Sequence, residues 1–256
     1  MFQLGADMLS TKGDAMKTGF HFSSGSRGRA NLVRRAWTIV RRFGLGSARF
    51  DRSLSEYVSV TSRFGCRPTL PVTAVILDRH PRLIRELSQD GADFAVHGDV
   101  HIDHRPLGRG DLSRHFARAV KLFHENSVNF TGFRAPYLRT NSDIPAVLAG
   151  LDFEYDSSLA VSWDVLSHQA LPSLDWEEYR RVVSFYGAVD SRHYLSMPRF
   201  SGGLVEIPVS LPDDEILIDR LHIPERVGDV WGRILAETHR RGELFTLQLH
   251  PERLPV

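Results

Sequence analysis

Apolar positions along the chain follow two alternating rhythms. Short β-type runs sit between stretches in which apolar residues return every three or four positions. MFQLGAD reads as a first strand. Leu32, Val33, Ala36, Trp37, Val40 and Phe43 then recur at helical spacing, with Arg34, Arg35, Arg41 and Arg42 on the opposite arc and Gly44 and Gly46 as the stop. A second helix is expected from about Asp51, with Leu54, Tyr57, Val58 and Thr61 inward and Gly65 ending it. PVTAVIL (71–77) reads as a buried strand, Pro81 to Asp90 as a helix stopped by Gly91, and ADFAVH (92–97) as the next strand. Asp111 is placed to cap a helix whose stripe is Leu112, Phe116, Ala119, Val120 and Phe123. NFTGFRAPY reads as a strand running into a turn, and Ser142 to Gly150 as a short helix with Pro145 in its first turn. LDFEYDSS, VVSFY and GLVEIPVSL look strand-like. Glu225 to Arg241 reads as a helix built on Val227, Trp231, Ile234, Leu235 and Thr238, and ELFTLQLHP as the last strand.

This alternation favours an α/β protein with a largely parallel sheet or barrel. No internal repeat, low-complexity tract or linker interrupts it, so residues 1–256 read as a single domain of a length that suits a (β/α) barrel. With 42% hydrophobic residues the chain can bury a sizeable core. The single cysteine, Cys66, excludes an intramolecular disulfide framework and any cysteine-only metal site. No stretch approaches the roughly 20 apolar residues of a membrane span. Gly5 and Asp7 stand where a secretory h-region would lie, so no signal peptide is read and a cytoplasmic location is expected.

Net charge is close to zero, with 32 Lys+Arg against 31 Asp+Glu, and points to no nucleic-acid partner. The balance hides an asymmetry: residues 1–70 carry a formal +8 and the remainder −7. Eight arginines fall within 27–52. The helix at 29–43 could dock on anionic lipid or on the diphosphate of a sugar carrier. An ordinary packed helix with its arginines in water is the preferred reading, with peripheral membrane contact the alternative.

Three groups of residues could carry chemistry. His97 and His101, in FAVHGDVHIDH, follow a predicted strand, and their four-residue spacing puts both imidazoles on one side. Two such histidines can take adjacent vertices of a divalent metal, with a carboxylate as third ligand. Chance is a competing explanation for the pair in a chain with 12 histidines. Arg134, in FRAPY, is a fixed charge just past a strand, held by a rigid turn or simply exposed beside a structural proline. His250, in LQLHPER, ends the last predicted strand, where a histidine suits acid or base work near neutral pH. Side chains at the C-terminal ends of barrel strands reach the active face, and all three groups hold that kind of position.

Together, and in this order, the motifs resemble those of the NodB-like polysaccharide deacetylases (carbohydrate esterase family four). His97-Gly98-Asp99-Val100-His101 matches the family's H-x-x-x-H, Arg134-Ala135-Pro136-Tyr137 its R-x-P-[YF], and Leu247-Gln248-Leu249-His250 its leucine strand ending in histidine. YDSSLAVSWDV (155–165) resembles a further motif more weakly. The resemblance covers roughly residues 66–256. It implies a distorted (β/α) barrel of about seven strands and metal-assisted hydrolysis of an N-acetyl group on a sugar, with zinc the expected ion.

By the same resemblance His97 and His101 are metal ligands, and Arg134 orients the catalytic carboxylate. The Tyr137 backbone N–H is an oxyanion donor, and His250 is the acid that protonates the leaving amine. Leu249 or Leu247 would lie near the acetyl pocket, with Asp156 and Trp163 in the substrate groove. The sequence departs from the family at strand one, where two adjacent aspartates are usual and only Asp7 stands, between Ala6 and Met8. Asp7 is then either the third metal ligand or the catalytic base. Asp14, Asp99, Asp103 or the Asp213-Asp214 pair of SLPDDE are further carboxylates available to complete the set.

The implied substrate is an N-acetylated amino sugar of a polysaccharide such as O-antigen, as polymer or carrier-linked precursor. Two other functions fit the same residues: a catalytically silent barrel that binds a glycan, and hydrolysis of a cyclic ureide or imide.

Overall fold

The computed structural model describes residues 48–168, 171 and 174–253. The predicted first strand with Asp7, Asp14 and the arginine-rich helix at 29–43 lie outside these residues. The described chain begins with α1 (Ala48–Arg63), which buries Phe50, Leu54 and Val58 and ends at Gly65 with φ 67°. β1 (Thr69–Val72), α2 (Ala74–Arg79), α3 (Pro81–Gln89), β2 (Asp93–Val96), α4 (Arg109–Glu125), β3 (Gly132–Phe133), α5 (Ile144–Ala149) and β4 (Tyr155–Asp156) follow. Next come β5 (Ala160–Ser162), α6 (Trp176–Phe185), β6 (Val189–Asp190), β7 (Arg199–Ser201), β8 (Leu204–Glu206), β9 (Val209–Leu211) and α7 (Val227–Arg241).

These described strands form two sheets. Six run in the order β1-β2-β3-β4-β8-β7, all parallel except the β7–β8 hairpin, and three run β6-β5-β9, all parallel. The α/β class with a mostly parallel sheet is as the hydrophobic rhythm predicts. Register lines up Val72, Val96, Phe133, Asp156 and Glu206 across the larger sheet. The ladder continues one residue further: the N–H groups of His97, Arg134, Ser157 and Ile207 donate to Val72, Val96, Phe133 and Asp156. His97 and Arg134 therefore leave the sheet side by side at its C-terminal edge, where open α/β sheets place their functional groups.

Beneath that edge lies a core in which Leu70, Phe94, Phe116, Phe123, Phe133 and Ile84 are among the buried residues. A second core gathers Trp163, Val161, Val209, Leu217 and Ile234 around the smaller sheet and α7. Among the described residues, no helix is long and apolar enough to cross a membrane.

Several predicted elements differ from the observed ones. The PVTAVIL strand ends at Val72, and α2 begins at Ala74, whose N–H donates to the Gly98 carbonyl at 2.9 Å. A short apolar run does not distinguish a strand from a buried helix. VVSFY forms the last turn of α6 and its C-cap, Tyr186. Among the described residues ELFTLQLHP shows only an isolated bridge at Leu249, and it is tied by single bonds, Ser210 N–H to the Thr246 carbonyl and Leu244 N–H to the Ser196 carbonyl. Gly108, not Asp111, caps α4, and Asp111 lies in its first turn paired with Arg114.

β3 runs close beneath an aromatic ring. A Cβ on Gly132 would stand 1.8 Å from Cζ of Tyr155 on the neighbouring strand. Gly132→Ala should therefore destabilise the fold by about 3 kcal/mol, as overpacking of a tight core does. Urea denaturation of the two proteins checks this; equal midpoints would contradict it.

Candidate active site

His97 is fully buried at the end of β2. Its Nδ1 lies 2.6 Å from the Arg134 carbonyl, a contact that requires Nδ1–H to donate. That leaves Nε2 as a bare, buried nitrogen with no hydrogen-bond partner. His101 faces it, with ring centroids 5.0 Å apart, and packs edge-on against Tyr137 at 4.5 Å. Burial first, and then the neighbouring His101, hold the His97 imidazole well below its ordinary pKa and so neutral. A neutral histidine with one nitrogen on a backbone carbonyl and the other free is the form that ligates a divalent metal. On that observation the His97–His101 pair fits a divalent metal.

The segment after β3 supplies the next side of the site. Arg134 and Ala135 are fully buried, and Pro136 is buried beside them. Tyr137 and Leu138 then take left-handed backbone angles, φ 59° and 55°. Two consecutive non-glycine residues in that region carry strain of about 1–3 kcal/mol each, which only a firmly held turn sustains. The turn is held by Ser158 Oγ, which accepts the Ala135 N–H at 2.8 Å and donates to Asp156.

The guanidinium of Arg134 links this half to the last motif. One Nη donates to Gln248 Oε1 and the other to Ser157 Oγ at 2.7 Å. Gln248 in turn donates to Asp213 Oδ2 at 2.7 Å. Asp213 also accepts the Ile216 N–H at 3.0 Å, opening a π-helical turn over Glu215–Arg220. The adjacent Asp214 grips His250 twice, accepting its backbone N–H at 2.8 Å and contacting Nδ1 at 2.8 Å. Arg253 Nη1 lies 3.6 Å from the same carboxylate. A continuous chain of bonds thus runs from His97 through Arg134, Gln248 and the aspartate pair to His250.

Electrostatics divide the two aspartates. Burial and the charge on Asp214 push Asp213 up to about 6. Burial also works to raise Asp214, but the charge of His250 and its two hydrogen bonds prevail and hold that carboxyl below the ordinary range. Arg134 is pulled down to about 9 by burial, against the nearby Tyr155, Asp156, Glu206 and Asp213. Asp156 and Glu206, in register on β4 and β8, are both raised, chiefly by burial. Asp213, Asp214 and His250 offer ligand atoms within 4.8 Å of one another and form a second candidate cation set. Their hydrogen bonds are already committed and Arg253 already supplies positive charge there, so the His97–His101 pair fits a metal better.

The structure brings His97, His101, Arg134 and Tyr137 together and joins His250 to them through bonds. Asp7 lies outside the described residues. Trp163 is a correction: its ring is fully buried in the second core with the Arg241 guanidinium 5.2 Å from its centroid, so it lines no groove. Leu249 packs into the main core at 7% exposure, and Asp156 is 4% exposed with Ser158 as its partner, so neither offers much surface to a sugar. The weak motif at 155–165 therefore supports the Arg134 turn from beneath. Asp214, which grips His250, comes from the SLPDDE segment, where paired acids inside an apolar run were the visible signal.

Asp213 generates a pH dependence. A carboxyl raised in the folded state withdraws stability as pH climbs from about 4, its unfolded value, to about 6. Asp213→Asn removes that loss, so the variant should gain on the wild type by about 2 kcal/mol between pH 4 and pH 7. Denaturant titrations at both pH values measure the difference; a constant offset would refute it.

Residues 49–155 match the family model for polysaccharide deacetylase. No curated protein matches the sequence. Among solved structures, one from Mycobacterium smegmatis designated a polysaccharide deacetylase aligns with TM-score 0.62 at 20% identity, covering 88% of this chain and 71% of that one. One from Pseudomonas aeruginosa PAO1, also designated a polysaccharide deacetylase, gives 0.54 at 14% identity over 78% and 60%. PuuE allantoinase gives 0.51 at 15% identity over 78% and 63%. The chain thus spans about three fifths of the length of the last two, and likeness at these identities speaks to the fold. Residues 49–155 are therefore similar to a polysaccharide deacetylase domain, the chain shares its fold with these structures, and the H-x-x-x-H and R-x-P-Y motifs lie inside the matched region.

Proposed function

We propose that the protein is a metal-dependent hydrolase that removes an N-acetyl group from an amino sugar of a polysaccharide, such as an O-antigen or other surface glycan, or from its carrier-linked precursor. The observation that carries this reading is the bare, buried Nε2 of His97 beside His101, with Nδ1 committed to the Arg134 carbonyl. His97 and His101 would hold the metal with Asp7 as third ligand, a set that suits zinc. When bound, such a metal polarises the amide carbonyl and acidifies the attacking water.

The protein's own residues perform the remaining tasks. Asp214, kept ionised, fixes Nδ1–H of His250 and stabilises its imidazolium, so that Nε2 can deliver a proton to the departing sugar amine. The left-handed turn at Tyr137 provides a backbone N–H as the oxyanion donor. Arg134 holds the two halves in register and offers a buried positive charge near the developing negative one.

The protein should take up one equivalent of zinc or cobalt, and His97→Ala or His101→Ala should each abolish that uptake. Acetate release from N-acetylated oligosaccharides and nucleotide-linked sugars should require the metal. His250→Ala should lower kcat by about 10²- to 10⁴-fold, the usual contribution of a positioned acid, while metal content stays the same. Bound metal without acetate release across a broad panel would instead favour a silent glycan-binding barrel.

A further inference from the structure

The turn between the two metal-binding histidines has an anchor of its own. Its carbonyls face α2: Gly98 accepts from Ala74 N–H at 2.9 Å and Asp99 from Val75 N–H at 3.0 Å. The Asp99 N–H, at the midpoint between His97 and His101, points elsewhere. It donates to Nε2 of His115, on the second turn of α4, at 3.1 Å. Nε2 of His104 lies 3.0 Å from the same atom. Because His115 Nε2 accepts from a backbone N–H, it carries no hydrogen, so the hydrogen between the two rings sits on His104 Nε2. The consequence agrees with the surroundings: Nδ1 of His104 is then a bare acceptor, and it is buried with no partner.

These rings are held rigidly. His104 is fully buried, stacked on Phe133 at 5.9 Å and edge-on to Phe116 at 5.1 Å. They press on the turn, since a Cβ on Gly98, with φ 84°, would come to 3.0 Å from both His104 and His115. Beyond His104 the loop is tied to the Tyr137 segment. Asn141 Nδ2 reaches the carbonyls of His104, Arg105 and Leu107 at 3.3, 3.1 and 2.9 Å, and Arg139 pairs with Asp103 at 3.1 Å.

We propose that His115 is a positioning residue for the metal-binding histidines: by accepting the Asp99 N–H and the His104 Nε2–H together, it sets the turn that aims His97 and His101. This rests on the metal reading above. A ligand pair must be held to about half an ångström, and outer groups that orient metal ligands are worth about 10- to 100-fold in affinity.

The test titrates zinc into the full-length protein, with cobalt absorption as a second readout, for the wild type, His115→Ala, His115→Gln, His115→Phe and His97→Ala. Hydrogen exchange of the 97–101 segment is followed in the same proteins without metal. His115→Ala should bind zinc about 10- to 100-fold more weakly, change the cobalt spectrum and exchange the Asp99 amide faster. His115→Gln, whose amide oxygen can accept both hydrogens, should recover most of the affinity. Unchanged affinity and exchange in His115→Ala would overturn the proposal, as would equal losses in His115→Gln and His115→Phe, which fills the space without an acceptor. The glutamine–phenylalanine pair also decides the question if the alanine variant does not fold. Failure of the wild type to bind zinc, or a His97→Ala variant that binds normally, would defeat the metal reading itself, and unaltered exchange in His115→Ala would still overturn the role of His115.

Discussion

The arrangement depends on one buried cation. Arg134 has no exposed surface, and its guanidinium would be costly to bury without compensation. The fold meets that requirement with Gln248, Ser157 and the nearby carboxylates of Asp156, Glu206 and Asp213. The partners come from β4, β8, the aspartate pair after β9 and the chain before His250. A single desolvated charge therefore holds elements far apart in sequence to one edge of the larger sheet. Its own carbonyl sets the tautomer of His97, so the same residue bonds His97 on one side and, through Gln248, the aspartate pair beside His250 on the other.

Placing two carboxyls side by side below that charge produces a division of labour. Both Asp213 and Asp214 are buried, and two adjacent ionised carboxylates in such a setting repel. Asp214 wins the negative charge because His250 bonds it twice, and Asp213 takes the higher pKa while serving as an acceptor for Gln248 and the π-helical turn. The outcome is an ionised carboxylate beside His250 and a neutralisable one that serves as a hydrogen-bond acceptor for the scaffold. Irregular backbone follows the same edge, in the left-handed pair Tyr137–Leu138 and in the π-helical turn over Glu215–Arg220, as is common where function shapes the chain.

Much of this was legible from residue pattern alone where the pattern was long. The 17-residue α4, with Leu112, Phe116, Ala119 and Phe123 inward, and the 15-residue α7 stand where their periodicity puts them. Short elements misled. PVTAVIL and VVSFY are apolar enough for a strand yet lie largely in helices, because burial alone makes both kinds of segment hydrophobic. Trp163 reads as a groove aromatic because it stands in the weak 155–165 motif, but a large ring directly after a buried strand is also what a core requires.

The sequence by itself determined the α/β rhythm, the order of the histidine, arginine and histidine motifs, and hence the resemblance to the deacetylases and the candidate residues. Those properties are local: spacing along the chain and residue chemistry suffice to read them. Tertiary structure alone decided which groups meet. That Gln248 bridges Arg134 to Asp213, that Asp214 grips His250, and that His115 reaches back across 16 residues to the Asp99 amide all depend on strand register and helix packing. Register joins residues whose separation in the chain carries no periodic signal, and a buried hydrogen bond is visible only when both of its partners have been brought out of water to the same place.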